Sequence, residues 1–473
     1  MIKLIRGHLT SGMYLTVLMV LTVTSFVLFF NFFNATLPVS ELIVRHTITA
    51  KILYFIFAFS PLAWLLFSKV WRDTVSISRK ILLIGLGSFL ISLFYSTRYG
   101  INAGAVFIAC SLYFAYDHRR IYKRGKVFYW FWAYLLIHAI SLLWTNDLNG
   151  GLNKLSAYLP FATFPIAFCF FQLTREETDR LLLLFFRGAT IFIFLSLFCW
   201  IYESSRIGVP LTDWFVFHKK VFDNQPPFFL VFNWTSYNHP SYNSISYILA
   251  LAIGIYLFDK RKSSSNISYF ELAIFAIAAF VLTIIIQSRI GLVNFLVVIV
   301  CGIAWLLRRE RIQFYLYLFA CFLLIAFAFT RMDVILKFIN DPVREQQYTT
   351  ALYSIKTNSW FGTGIGGMTK AMTSQELALK LGYPSVNVIN IYPSNQFLGD
   401  LMQTGILGLI ALVGILFVLS YNCIKQRNWV LFSIIICFLL LMMIEMPFFL
   451  LRGTTLFVPL SCLALQMQYK KVG

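Results

Sequence analysis

Residues 391–410 read IYPSNQFLGDLMQTGILGLI. A polar, turn-forming opening at Pro393-Ser394-Asn395 passes within a few residues into an apolar run dotted with glycine. That run is long enough to cross a bilayer. The polar groups at its mouth are therefore either a helix cap or the floor of a site. Capping chemistry alone accounts for Ser394. It does not account for Asp400 and Gln403, which carry one polar stripe into the apolar run, nor for Gly405 and Gly408, which permit close helix approach. We read the stretch as the floor of a site.

The composition agrees with a membrane reading. Of 473 residues, 59% are hydrophobic, only 12% are charged and 50 are Phe, too apolar a chain to bury its hydrophobic residues inside a soluble globule. The expected fold is an all-α polytopic membrane protein of about 12–14 transmembrane helices, with a large periplasmic loop before the last three. Apolar runs begin near Met13, His46, Ile81, Tyr99, Val127, Leu155, Leu181, Ser241, Ser268, Ile290, Ile312, Gln396, Trp429 and Thr454. The expected organisation is N-terminal helices over 1–202, a first long outer loop over 203–240, central helices over 241–330, a larger outer loop over 331–395 and C-terminal helices over 396–473.

With Lys3 and Arg6 holding the N-terminus inside, every inside segment carries at least two basic residues. KVWRDTVSISRK (69–80), DHRRIYKRGK (117–126), DKRKS (259–263) and RRER (308–311) are examples. The net charge of +20 is thus mostly topological and argues little for nucleic acid. Both termini are expected in the cytoplasm, with the first apolar run kept as an anchor. The eight cysteines lie in or beside apolar runs and outside the long outer loops, which supplies neither a disulfide framework nor a thiolate metal site.

The chemistry candidates lie on the outer face. Within WFGTGIGGMTK (360–370), Gly362, Gly364 and Gly367 satisfy G-x-G-x-x-G, but no strand and helix frame them as a dinucleotide site requires. A turn that lets backbone approach a ligand or a neighbouring helix fits better. Further on, TKAMTSQELALKLG (369–382) predicts a short capped helix ending at Gly382. Arg289 sits in a tight outer turn, where a guanidinium either snorkels to the interface or holds an anion. Arg98 and Arg452 occupy similar positions, and Arg344 follows Asn340-Asp341-Pro342. No DxD pair occurs, so arginines gathered on one side suit a metal-free diphosphate site. Glu445 is expected either to pair with Arg452 or to orient a substrate-binding arginine. His239, in a polar cluster beside an apolar run, either starts the next helix with Pro240 or acts on substrate.

Taken in order, QSRIG (287–291), DPVREQQYTTALYSIKTNSWFGTGIGG (341–367) and NQFLGDLMQTGILGL (395–409) resemble the O-antigen ligase and polymerase superfamily of bacterial envelope glycosyltransferases. HPSY (239–242) and IEMPFFLLRG (444–453) are similar to further blocks of such proteins. The resemblance implies a multi-pass enzyme of the bacterial inner membrane with its site on the periplasmic face. Such an enzyme needs no cofactor or metal and moves a glycan from undecaprenyl pyrophosphate to a sugar hydroxyl. It implies that Arg289 and Arg344 hold the pyrophosphate; Arg452 joins them as a candidate from its own position on the outer face, with Glu445, Gly364, Gly366 and Asp400 as supporting candidates. Ligases of the family carry His-Asn before the Leu-rich helix. Here the pair is Ser394-Asn395, and a serine without a basic partner is no base. The catalytic candidates are therefore His239, Ser394 and Asn395. This departure tilts the expectation toward a polymerase acting on lipid-linked repeats, over a ligase acting on lipid A core. A transporter or flippase of lipid-linked glycan is the alternative from another class, and it would be expected to show inverted repeats or charges in mid-membrane.

Overall fold

The computed structural model describes residues 59–95, 97–119, 121–122, 127–215, 231, 239–260, 267–308, 342–357, 360–382 and 392–467. The spans expected from Met13 and Ile312, most of that from His46, and much of both long outer segments lie outside these residues. Among the described residues the secondary structure is helical throughout. The helices are α1 (Leu62–Leu66), α2 (Lys69–Asp73), α3 (Ile77–Ser92), α4 (Thr97–His118), α5 (Val127–Ile140), α6 (Leu148–Tyr158), α7 (Pro160–Cys169), α8 (Arg175–Ile207) and α9 (Pro240–Asp259). They continue as α10 (Tyr269–Ile285), α11 (Arg289–Leu307), α12 (Pro342–Thr357), α13 (Gly367–Met372), α14 (Gln375–Lys380), α15 (Gln396–Gln426), α16 (Trp429–Met442) and α17 (Leu451–Gln466). Four of these, α8, α9, α11 and α15, are long and apolar enough to cross a membrane.

Helix starts fall close to the beginnings of the apolar runs because capping residues sit there. Ser268 caps α10 and Asn428 caps α16, each accepting a backbone N–H from three residues on. The start of α8 moves six residues ahead of Leu181. Thr174 accepts from Glu177 N and the Glu177 carboxylate accepts from Thr174 N, a capping box that extends the helix into polar sequence. The single span expected from Leu155 is instead two helices, α6 and α7, divided at Pro160. A proline has no N–H to continue the ladder, so the ladder breaks there although Leu159 itself keeps helical dihedrals (φ −53°, ψ −34°). The capped helix expected before Gly382 is present as α14: Ser374 Oγ accepts from Leu377 N at 3.3 Å, and Gly382 ends it with φ +82°.

The chain divides into two compact units, residues 1–122, 167–296 and 463–473 in the first and 123–166 and 297–462 in the second. In the first, α8 packs against α3, α9 and α10. Phe94 meets Phe185 with ring centroids 4.6 Å apart, and Phe186 meets Phe275 at the same distance. Gly254 faces the Phe186 ring at a distance that no larger residue allows. Segments expected on the inner side meet one another here: Arg79 Nε and Nη2 grip the Glu177 carboxylate at 2.6 Å each, and Lys260 lies 3.6 Å from Asp179. In the second unit α15 packs against α5, α12 and α16. Its core is aromatic, with Phe131, Phe161, Phe448 and Phe457 in edge-on or tilted contact.

Candidate active site

In the second unit the opening stretch, 391–410, resolves into a cap, a buried hub and a break. Ser394 has φ +46°, a left-handed conformation, whereas a cap needs extended backbone. The cap therefore falls to Asn395, not to Ser394. The Asn395 backbone is extended (φ −156°, ψ 122°) and its Oδ1 accepts from Leu398 N at 3.1 Å. The amide's other end donates to Met443 O at 3.0 Å. Asn395 thus joins the start of α15 to the end of α16.

Asp400, one turn further on, does not face an open site: it is fully buried. Its Oδ2 accepts from Tyr134 Oη at 2.7 Å and its Oδ1 from Gln396 Nε2 at 2.8 Å. Gln396 is held in that orientation because its Oε1 accepts from Phe448 N at 2.9 Å. His138 donates from Nδ1 to Tyr134 O at 2.9 Å, which turns its Nε2 toward Asp400 Oδ1 at 3.7 Å, and its ring stacks on Tyr158. A carboxylate in an apolar helix is tolerated only with partners of this kind. The sequence reading passed over His138 and Tyr134. Their signal was the i, i+4 spacing on the apolar run of α5, which places both on one helix face.

The break is at Gly405, where φ +65° and ψ −156° interrupt α15. Just before the break the carbonyls of Met402 and Gln403 accept from outside the helix, from Thr363 N at 2.8 Å and Gly364 N at 2.9 Å, with Thr363 Oγ1 adding a bond to Met402 O at 3.0 Å. The glycine-rich turn is therefore a backbone plug for a broken helix. A Cβ on Gly364 would stand 2.6 Å from Thr145 Cα. Gly366 crowds the Asp147 carbonyl, and its N–H donates to Thr145 Oγ1 at 3.2 Å. The G-x-G-x-x-G spacing thus serves close helix approach, as expected. Beside the turn, a cavity of about 530 Å³ is lined by Trp144, Asn146, Phe361, Gly362 and Thr363. Trp144 Nε1 donates to Phe361 O at 3.0 Å, and the two rings meet edge to face.

A charged cluster occupies the end of α16. Arg344, in the first turn of α12, donates from Nη1 to Ile444 O at 2.7 Å and places Nη2 3.7 Å from Glu445 Oε1. The expected partner of Glu445, Arg452, does not pair with it, because the 3-10 turn Pro447–Phe449 separates the two residues and Arg452 opens α17. Together Asn395 and Arg344 satisfy successive carbonyls at a helix C-terminus, where positive charge is favourable. The Arg344 side chain remains 29% exposed, while Glu445 is buried and its carboxyl pushed up to about 7 by desolvation, with Arg344 opposing the shift. Tyr392 belongs to the cluster, its phenol pushed up by burial and by Glu445. Its ring packs on Phe449, whose face carries the Lys154 ammonium 3.8 Å from the centroid. Burial lowers the Lys154 ammonium from its ordinary range. Lys154 is a cation that the sequence reading passed over, because the turn joining it to the cluster is tertiary. Arg452 is buried, with 9% of its surface exposed.

In the first unit, His239 is the N-cap of α9, with Nδ1 accepting from Ser241 N at 3.4 Å and Pro240 in the first turn. The helix-start reading of the His-Pro pair is therefore correct, and the histidine is exposed. Arg289 is the first residue of α11, after the turn at Gln287 and Ser288. Ser288 Oγ and Ser244 Oγ lie 3.1 Å apart, and Gly291 is in the first turn against Ser244. The starts of α9 and α11 are thereby tied together, so His239 and Arg289 share one end of this unit. Of the candidates, His239 and Arg289 lie in the first unit; Arg344, Ser394, Asn395, Asp400, Glu445, Arg452, Gly364 and Gly366 lie in the second.

Among known proteins, no curated sequence matches the chain. Residues 272–413, which contain Arg289, Arg344, the glycine-rich turn, Asn395 and Asp400, match the family model described as O-antigen ligase. That match, on a helical chain with membrane-length apolar helices, supports the O-antigen ligase superfamily.

Proposed function

We propose that the protein is a membrane glycosyltransferase that moves a glycan from undecaprenyl pyrophosphate to a sugar hydroxyl, as an O-antigen polymerase in preference to a ligase acting on lipid A core. The observation that carries the reading is Arg344. It is fixed on one side by Ile444 O and Glu445 with its side chain 29% exposed, and Lys154 and Tyr392 belong to the same cluster. A guanidinium fork held in this way neutralises a diphosphate as it departs and needs no metal for that task. Arg289, at the first turn of α11 where the helix dipole also favours an anion, takes the same role in the first unit.

In the step itself, the acceptor oxygen bonds to the anomeric carbon while the bond from that carbon to the pyrophosphate oxygen breaks. A single displacement of this kind inverts the anomeric centre. The acceptor proton passes to a base, for which His239 is the candidate. Ser394, buried and left-handed, has neither the basicity nor the setting. Asn395 and Asp400 act as strut and hub. Among the described residues the lining of the cavity beside Trp144 and Phe361 carries no charge and offers ring faces with an amide and a hydroxyl, a surface suited to sugar.

The transporter reading draws on buried charges such as Asp400 and the Arg187–Glu271 pair, 3.5 Å apart. Asp400 and Glu271, however, lie within two turns of helix starts, and Arg187, which lies well inside α8, is compensated by Glu271. Glycan analysis of a deletion strain tests the proposal. Lipid A core bearing one repeat supports a polymerase, and full-length polymer retained on undecaprenol supports a ligase. Arg289→Ala and Arg344→Ala should each abolish polymer in a membrane-inserted protein, with Lys rescuing poorly at either position. Wild-type polymer from both Ala variants would refute the pyrophosphate assignment.

A further inference from the structure

The first unit holds a cavity of about 620 Å³ at the start of its helices, lined by Ala63, Phe67, Ser68, Lys69, Arg72 and Arg180. Among the described residues its charged lining is entirely cationic. On α8, Glu177 binds Arg79, Asp179 faces Lys260 and accepts from Tyr256 Oη at 3.1 Å, and the Glu176 carboxylate, with Asp179, acts electrostatically on Arg180. Asp73 and Glu176 are exposed and do not line the cavity. Ser68 is buried and occupied as the cap of α2, accepting from Trp71 N and donating to Leu65 O. Lys69 and Arg72 are exposed, and Arg180 is half-buried.

The lining also has an apolar side: Phe67 is 84% exposed, and further along the same segment Val75 and Ile77 are exposed as well, side chains that water disfavours and a bilayer interface accepts. A cationic cavity with an exposed aromatic ring in its wall, on short helices that enter an apolar bundle, fits an anionic group presented at a membrane surface. We propose that this cavity is a binding site for a phosphate-bearing anion, with an anionic phospholipid headgroup as its natural source. None of its lining residues belongs to the candidate active site, and the proposal does not depend on the glycosyltransferase reading.

The test uses the purified full-length protein. Retention of phosphatidylglycerol and cardiolipin is compared with that of phosphatidylcholine by native mass spectrometry, and thermal shifts are recorded with inorganic phosphate in lipid-free detergent. The wild type should retain the anionic lipids in preference to phosphatidylcholine. Lys69→Gln and Arg72→Gln should each weaken that preference about fivefold, and adding Arg180→Gln should abolish it. If the triple variant does not fold, the two single variants at exposed positions still decide the matter. Lys425→Gln with Arg427→Gln, which removes two exposed cations from the second unit, should leave the preference intact. A shift with phosphate that depends on Lys69 and Arg72, without lipid preference, would keep the anion site and assign it to a soluble source. An anionic preference that survives loss of the cavity cations, or falls equally in the control variant, would overturn the proposal, as would the absence of both lipid preference and phosphate shift.

Discussion

The interruption of α15 makes Gly405→Ala the most discriminating substitution in the second unit. At φ +65° and ψ −156° the residue occupies backbone space that is nearly glycine-only, so alanine there carries about 1–3 kcal/mol of strain. The added Cβ would also run into the Trp360 carbonyl and stand 2.7 Å from Phe361 N. Relief requires the glycine-rich turn to retreat, which breaks the bonds from Thr363 N and Gly364 N to Met402 O and Gln403 O. Each such bond contributes about 0.5–1.5 kcal/mol. The sum, about 2–6 kcal/mol, is a large fraction of the stability of a typical domain. Thermal unfolding of the purified variant in detergent should fall by more than about 5 °C, with new protease cleavage in 357–382. Gly382→Ala is the control: φ is +82° but nothing lies within 4 Å, so only backbone strain of about 1–2 kcal/mol applies. If Gly405→Ala melts with the wild type, or no lower than Gly382→Ala, the plug does not hold the break together.

Two further outcomes follow from the same unit. The unfolded chain releases the Glu445 proton near its ordinary 4.5 but the folded chain only at about 7, so stability falls as pH rises between these values, by about 3 kcal/mol in all. Glu445→Gln, which cannot ionise, should therefore melt higher than the wild type above pH 7 and alike below pH 4.5; parallel pH profiles would refute the buried-carboxyl account. If the Trp144 cavity holds sugar on its rings, Trp144→Phe should keep polymer yield within a few-fold while Trp144→Leu loses about two- to tenfold in transfer rate. Equal yields from Phe and Leu would mean that the ring serves only as an apolar anchor.

What the sequence determined by itself is the helical membrane class, the approximate helix starts and the capped helix before Gly382. These are local properties: apolar run length, capping residues and glycine, each acting within a few positions along the chain. The glycine-rich turn was legible as a close backbone approach, though not what it approaches. Tertiary structure decided the rest. Ser394 looked like a cap, but the turn conformation handed that role to Asn395. Glu445 looked like a partner for Arg452, but a 3-10 turn lies between them and Arg344, 101 positions earlier, reaches it instead. Asp400 read as the floor of a site because a polar stripe marks a face without saying what covers it. Tyr134, His138 and Gln396 cover it. Hydrogen bonds between distant segments set these outcomes, and no pattern confined to one segment encodes which distant donor will arrive.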